Sequence, residues 1–132
     1  MKDHNPGGED PQKVLDHENM DVYRVALEFA GFVIEALSKE PKPPAYMIDQ
    51  LGRASTSIVL NIAEGSGKFT RNDKIKFYKI ATASATECAG ALDLLLLHKT
   101  LSFAELIRGK KLVNRVVAML IGLVKSLEKR HK

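Results

Sequence analysis

Tryptophan is absent from this chain, cysteine occurs once, and aromatic residues make up only 6% of it. A single cysteine excludes a disulfide within the chain. Cys88 stands among Ala85, Ala89 and Leu92, the setting of a small buried hydrophobe rather than of a reactive thiol. With so few rings, a core has to be assembled from Leu, Ile, Val and Ala, the composition of close-packed helices. Long apolar runs are missing as well. The longest uncharged one, residues 116–124, falls far short of the roughly 20 residues that cross a bilayer, and no apolar segment follows the start. The expectation is a cytoplasmic protein without a membrane span.

Catalytic constellations are missing too. His4, His17, His98 and His131 are scattered, with no Glu-x-x-His pair of the kind that builds metal sites inside helical bundles. Gly65-Ser66-Gly67-Lys68 invites a phosphate-loop reading, but Ile62 stands where the first loop glycine belongs and Phe69 where Ser or Thr would meet magnesium. No nucleophile motif surrounds the serines of the middle of the chain. We therefore expect no enzyme, no cofactor and no metal.

What is present suits one domain. The chain has 132 residues, 45% of them hydrophobic, enough for a single core and too few for two. Residues 1–13, with Asn5-Pro6-Gly7-Gly8 and Pro11, read as a polar tail rich in helix breakers, leaving 14–132 as the folded domain. A first helix is predicted from about residue 20 to 39. Val22, Ala26, Phe29, Val33 and Ala36 form its apolar stripe, and Tyr23, Leu27, Ala30, Ile34 and Leu37 widen it. Pro41, Pro43 and Pro44 break the chain, and a second helix opens after Pro44.

In that second helix Ile48, Leu51, Ser55, Ile58 and Ile62 recur at steps of three and four, which stacks them toward a core. Arg53, Ser57, Asn61 and Glu64 make a polar stripe about half a turn away. Gly65 is expected to end the helix in a left-handed cap, with Gly67 keeping the exit flexible. Thr70 and Asp73 then form a variant capping box for a third helix over 71–98. Its seam is Tyr78, Ala81, Ala85, Cys88, Leu92 and Leu95. Glu87 is the acid amid this apolar stretch, and burying it would require a partner such as Arg53 or Asn61. With no second carboxylate or histidine beside it, a structural network is the better reading than catalysis.

Ser102 and Glu105 form a capping box for the last helix, with Leu101 and Leu106 placed to close a hydrophobic staple. So short a connection folds the third and fourth helices back antiparallel. Leu106, Val113, Leu120 and Leu127 recur every seven residues, with Val116, Val117, Leu123 and Val124 between them. A helix apolar around most of its girth, in a bundle this small, is expected to meet a second subunit as well as its own core. The fold class is all-α, an antiparallel up-down-up-down four-helix bundle.

The run Gln50-Leu51-Gly52-Arg53-Ala54, then Ser57-Ile58, then Asn61-Ile62-Ala63-Glu64-Gly65-Ser66-Gly67-Lys68, followed by residues 77–80, Ala83-Ser84 and Glu87, resembles the four-helix-bundle family encoded in intervening sequences of 23S rRNA genes. The resemblance spans roughly residues 20–130 and implies ring-shaped homopentamers. It marks Arg53, Asn61, Glu64, Gly65 and Glu87 as a structural polar network. A related branch includes the accessory variability protein of diversity-generating retroelements, a basic pentamer that works with a reverse transcriptase. Val59-Leu60 stand where the family usually has Pro-Ser, and Cys88 replaces a usual Leu. The first change removes a kink and puts an apolar residue near the polar stripe.

Charge points the same way. The net charge is +4, but residues 1–20 carry two Lys against five acids, whereas residues 101–132 carry eight Lys or Arg against two acids. Arg108, Lys111 and Arg115 share a face of the last helix, and Lys125 and Lys129 resume it after Ala118 and Gly122. These five are the candidate stripe for RNA or DNA, whose phosphates a ring would engage in several copies. No aromatic residue interleaves with them, which favours backbone contact over base stacking. In the alternative, the bases only keep an oligomeric protein scaffold soluble, and Leu60 extends a contact patch on it.

Overall fold

The computed structural model describes residues 20–129, in four helices: α1 (Asp21–Leu37), α2 (Ala45–Ser66), α3 (Arg71–Leu97) and α4 (Phe103–Lys129). The tail expected over 1–13 lies outside the described residues, as do 14–19 and 130–132. Each helix packs on two neighbours: α2 on α3, α3 on α4, and α1 on both α2 and α4. No packing joins the diagonals, so the four helices form the square, all-α bundle that the short connections require.

The seams follow the predicted periodicity in α3 and α4, and in α2 from Leu51 onward; at the start of α2 Met47 is buried in place of the expected Ile48, which is only partly covered. Tyr78, Ala81, Ala85, Cys88, Leu92 and Leu95 are all buried, as are Leu51, Ser55, Ile58 and Ile62 of α2 and Leu106, Val113, Leu120 and Leu127 of α4. In α1 the narrower stripe is the core. Val22, Ala26, Phe29, Val33 and Ala36 are buried together with Val25 and Phe32, while Leu27 and Ile34 of the expected wider face point to solvent. By length and composition α3 is long and apolar enough to cross a membrane. In this fold its seam is filled by the bundle core, and its two mid-helix acids turn sideways, Glu87 to Gln50 of α2 and Asp93 to Lys110 of α4.

Local chemistry sets the helix ends. At the start of α4 the capping box closes both ways: the Glu105 amide donates to Ser102 Oγ at 3.1 Å, and the Ser102 amide donates to the Glu105 carboxylate at 2.8 Å. Leu101 and Leu106, the staple pair, are both buried. Thr70 caps α3 by accepting from the Asp73 amide at 3.1 Å. The end of α3 takes a form that composition conceals. Lys99 has φ 63°, Thr100 N–H reaches Leu95 O, and Lys99 N–H reaches Leu96 O, both at 2.9 Å. That is a Schellman turn with lysine in the position glycine usually fills.

Gly65 does not end α2. The helix runs on to Ser66, and the capping residue is Gly67, whose φ of −86° is right-handed. Gly65 is needed for proximity instead. A Cβ there would lie 2.7 Å from the Tyr78 ring and 3.1 Å from Phe77 Cβ, so its missing side chain lets α2 and α3 close together. The last carbonyls of α2 are capped by Lys74, whose ammonium donates to Ser66 O at 2.9 Å. Gly109 plays the same part between α4 and α1, where a Cβ would stand 2.5 Å from the Phe32 ring.

Candidate polyanion-binding surface

The five cations predicted on the last helix are all exposed, and the fold divides them. Arg108, Lys111 and Arg115 border a groove of about 580 Å³ between α4 and α1, with Phe32 and Leu112 also in its lining. Across it stand Glu28 and Glu35 of α1. The Arg108 guanidinium lies over the Phe32 ring, 5.3 Å from its centroid, a cation–π contact that holds the side chain along the groove. Among the described residues no ion pair within 4 Å joins these three cations to either glutamate. The carboxylates nonetheless temper the field there. Three bases facing two acids attract a phosphate chain less than the sequence of α4 by itself suggests.

Lys125 and Lys129 border a shallow hollow lined also by Gly122 and Ser126 of the same helix. Lys125 borders a second hollow together with Lys79 of α3 and Glu128. Lys79 is a cation the stripe on the last helix does not contain. Far from Lys125 in sequence, it becomes its neighbour only because α3 and α4 are antiparallel.

The expected network of Arg53, Asn61, Glu64, Gly65 and Glu87 is not assembled. Arg53 pairs with Asp49 one turn back at 3.5 Å, and Glu64 with Lys68 one turn on at 3.1 Å. Asn61 donates to the Ser57 carbonyl and hydroxyl, at 2.9 and 3.0 Å. Glu87 is exposed and accepts from Gln50 at 3.3 Å rather than from Arg53 or Asn61. The physical reason is position: at the solvent edge of the α2–α3 seam, Glu87 needs no buried counter-charge. A hydrogen bond between the Ser57 and Ser84 hydroxyls at 2.8 Å crosses the same seam, and the close approach at Gly65 joins the two helices further along.

The titratable groups that depart from ordinary behaviour are structural. Burial, reinforced by the charge of Glu87, pushes the Cys88 thiol up to about 12, which removes its nucleophile at neutral pH. The Lys39 ammonium, then the Ser102 amide, hold the Glu105 carboxyl down at about 2. Tyr46 hydroxyl and His98 Nε2 stand 3.0 Å apart and tie the start of α2 to the end of α3. Among the described residues no three of His, Cys, Asp and Glu are grouped to hold a metal ion.

No curated protein matches the chain. Among solved structures it is similar to a protein of unknown function from the S23 ribosomal protein family of Bacteroides thetaiotaomicron, with a TM-score of 0.73 and 28% identity over 79% of this chain and 98% of that one. Residues 18–122, the four helices but for the last turns of α4, match the profile of the 23S rRNA-intervening sequence proteins, and the chain belongs to that family.

Proposed function

We propose that the protein is a non-enzymatic homo-oligomer, a pentamer by its resemblance, whose basic surface binds nucleic acid or docks it beside a nucleic-acid enzyme such as a reverse transcriptase. In this reading it acts in the cytoplasm. The observation that carries it is the two groups of exposed cations on α4, Lys111 with Arg115 and Lys125 with Lys129, none of them in an ion pair within 4 Å among the described residues. Assembly is supported by apolar side chains left in water: Leu97 is 75% exposed, Ile34 and Phe103 66%, and Leu60 60%. Each forgoes part of the roughly 1.5–3 kcal/mol that full burial of such a side chain contributes, a cost a subunit contact recovers. Titrating labelled RNA and DNA at low and moderate salt tests the binding. Affinity should fall steeply with salt, and reversing Lys111 and Arg115 to Glu should weaken it. No binding at low salt, or binding indifferent to the reversal, contradicts the proposal.

One observation favours the second reading, a scaffold that binds protein alone. Leu60 stands in a hollow of the α2 surface beside Arg53, Thr56 and Asn61, an apolar centre with a polar rim. Capture of a partner that survives nuclease treatment and is lost in Leu60→Ser would establish it.

A further inference from the structure

Phe69 is 100% exposed, in the turn that joins α2 to α3. Its neighbours in the chain are Lys68, Thr70 and Arg71, so the ring stands alone in a polar turn rather than in an apolar patch. From it a track of cations crosses the bundle. The ammonium groups of Lys68 and Lys76 both lie over the ring of Phe77, at 5.2 and 5.5 Å from its centroid. Lys79 is one helical turn beyond Lys76 on α3, and positions three apart are surface neighbours. Lys79 shares a hollow with Lys125 of α4, and Lys129 lies one turn past Lys125. Residues 64–79 hold five Lys or Arg against two acids. Along the track Glu64 pairs with Lys68 at 3.1 Å and Glu128 borders the hollow of Lys79 and Lys125, so five cations face two carboxylates, against three facing two in the α1–α4 groove.

We infer that this track, Lys68, Lys76, Lys79, Lys125 and Lys129, carries the phosphates of an unpaired nucleic-acid strand, with Phe69 stacking on one of its bases. The inference rests on the nucleic-acid reading above and deepens it, extending the interface from the cations of α4 to the α2–α3 turn. Spaced ammonium groups match a phosphate chain of any sequence. An isolated, solvent-facing ring matches the face of a base, which every nucleotide offers and a duplex covers. An acidic protein surface would satisfy the lysines and leave the ring without a partner. The aromatic residue missing from the α4 stripe is thus supplied by a different part of the chain.

The test uses the full-length protein with labelled oligouridine and oligothymidine, a hairpin duplex of equal charge, and polyglutamate. Wild type is expected to prefer the unpaired strands. Phe69→Ala should weaken them roughly 5- to 100-fold with the duplex little changed, and Phe69→Trp should restore binding. Because no charge is lost, the salt dependence of Phe69→Ala should match wild type. Lys76→Glu with Lys79→Glu should weaken strand and duplex alike and flatten that dependence. Unpaired strands bound equally by wild type and Phe69→Ala overturn the stacking while leaving the broader nucleic-acid reading intact. Wild type binding none of the nucleic acids sinks that broader reading itself. Polyglutamate bound as tightly as the strands, or Phe69→Ala changing the sedimentation of the free protein, also overturns the proposal, the latter because the ring would then be a subunit contact.

Discussion

At the start of α4 the Glu105 carboxylate accepts from the Ser102 amide and from the Lys39 ammonium, so one residue caps its own helix and ties it to the end of α1. Its carboxyl is held at about 2 against an ordinary 4.5, so the stabilisation is complete above pH 4.5 and is lost as pH falls toward 2. Glu105→Gln should cost about 1 kcal/mol at pH 7, and thermal melts of variant and wild type should converge as pH falls from 4.5 to 2. Two glycines give a second contrast. Gly109→Ala should destabilise, because overpacking against Phe32 and Leu92 costs about 1–3 kcal/mol and helix propensity returns about 1. Gly90→Ala has nothing within 4 Å and should stabilise by about 0.5–1 kcal/mol, both read by urea denaturation. The capping box was legible at this scale because Ser102 and Glu105 are three apart. The roles of Gly65 and Gly109 were not, since each answers to a ring on another helix.

The seam of α3 could be read directly, because small and apolar residues at steps of three and four leave one face for the core. Choosing the face of α1 was harder. Its apolar residues fill two adjoining stripes, and which one is buried depends on where α2 and α4 stand. The bundle buries Val25 and Phe32 and leaves Leu27 and Ile34 outside. The end of α3 was hidden for a different reason, lysine taking the left-handed position at residue 99. The polar network failed as an expectation because helical angle places Glu87 near α2 but does not say how deep it sits.

Over the whole molecule, charge becomes meaningful only once the helices are side by side. Sequence exposes the bases of α4 but not the glutamates of α1 that face three of them, nor the α3 lysine that joins Lys125. The same holds for the apolar surplus. Ile34, Leu60, Leu97 and Phe103 lie on four different helices or their ends, more uncovered side chain than a bundle of four helices gains by leaving in water. Self-association is the proposal on which the proposed avidity for phosphate and the proposed docking role both depend. Sedimentation equilibrium at micromolar concentration measures it most directly. The account predicts a species of five protomer masses, each 14.6 kDa, and a fully helical protein sedimenting as one 14.6 kDa chain would contradict it.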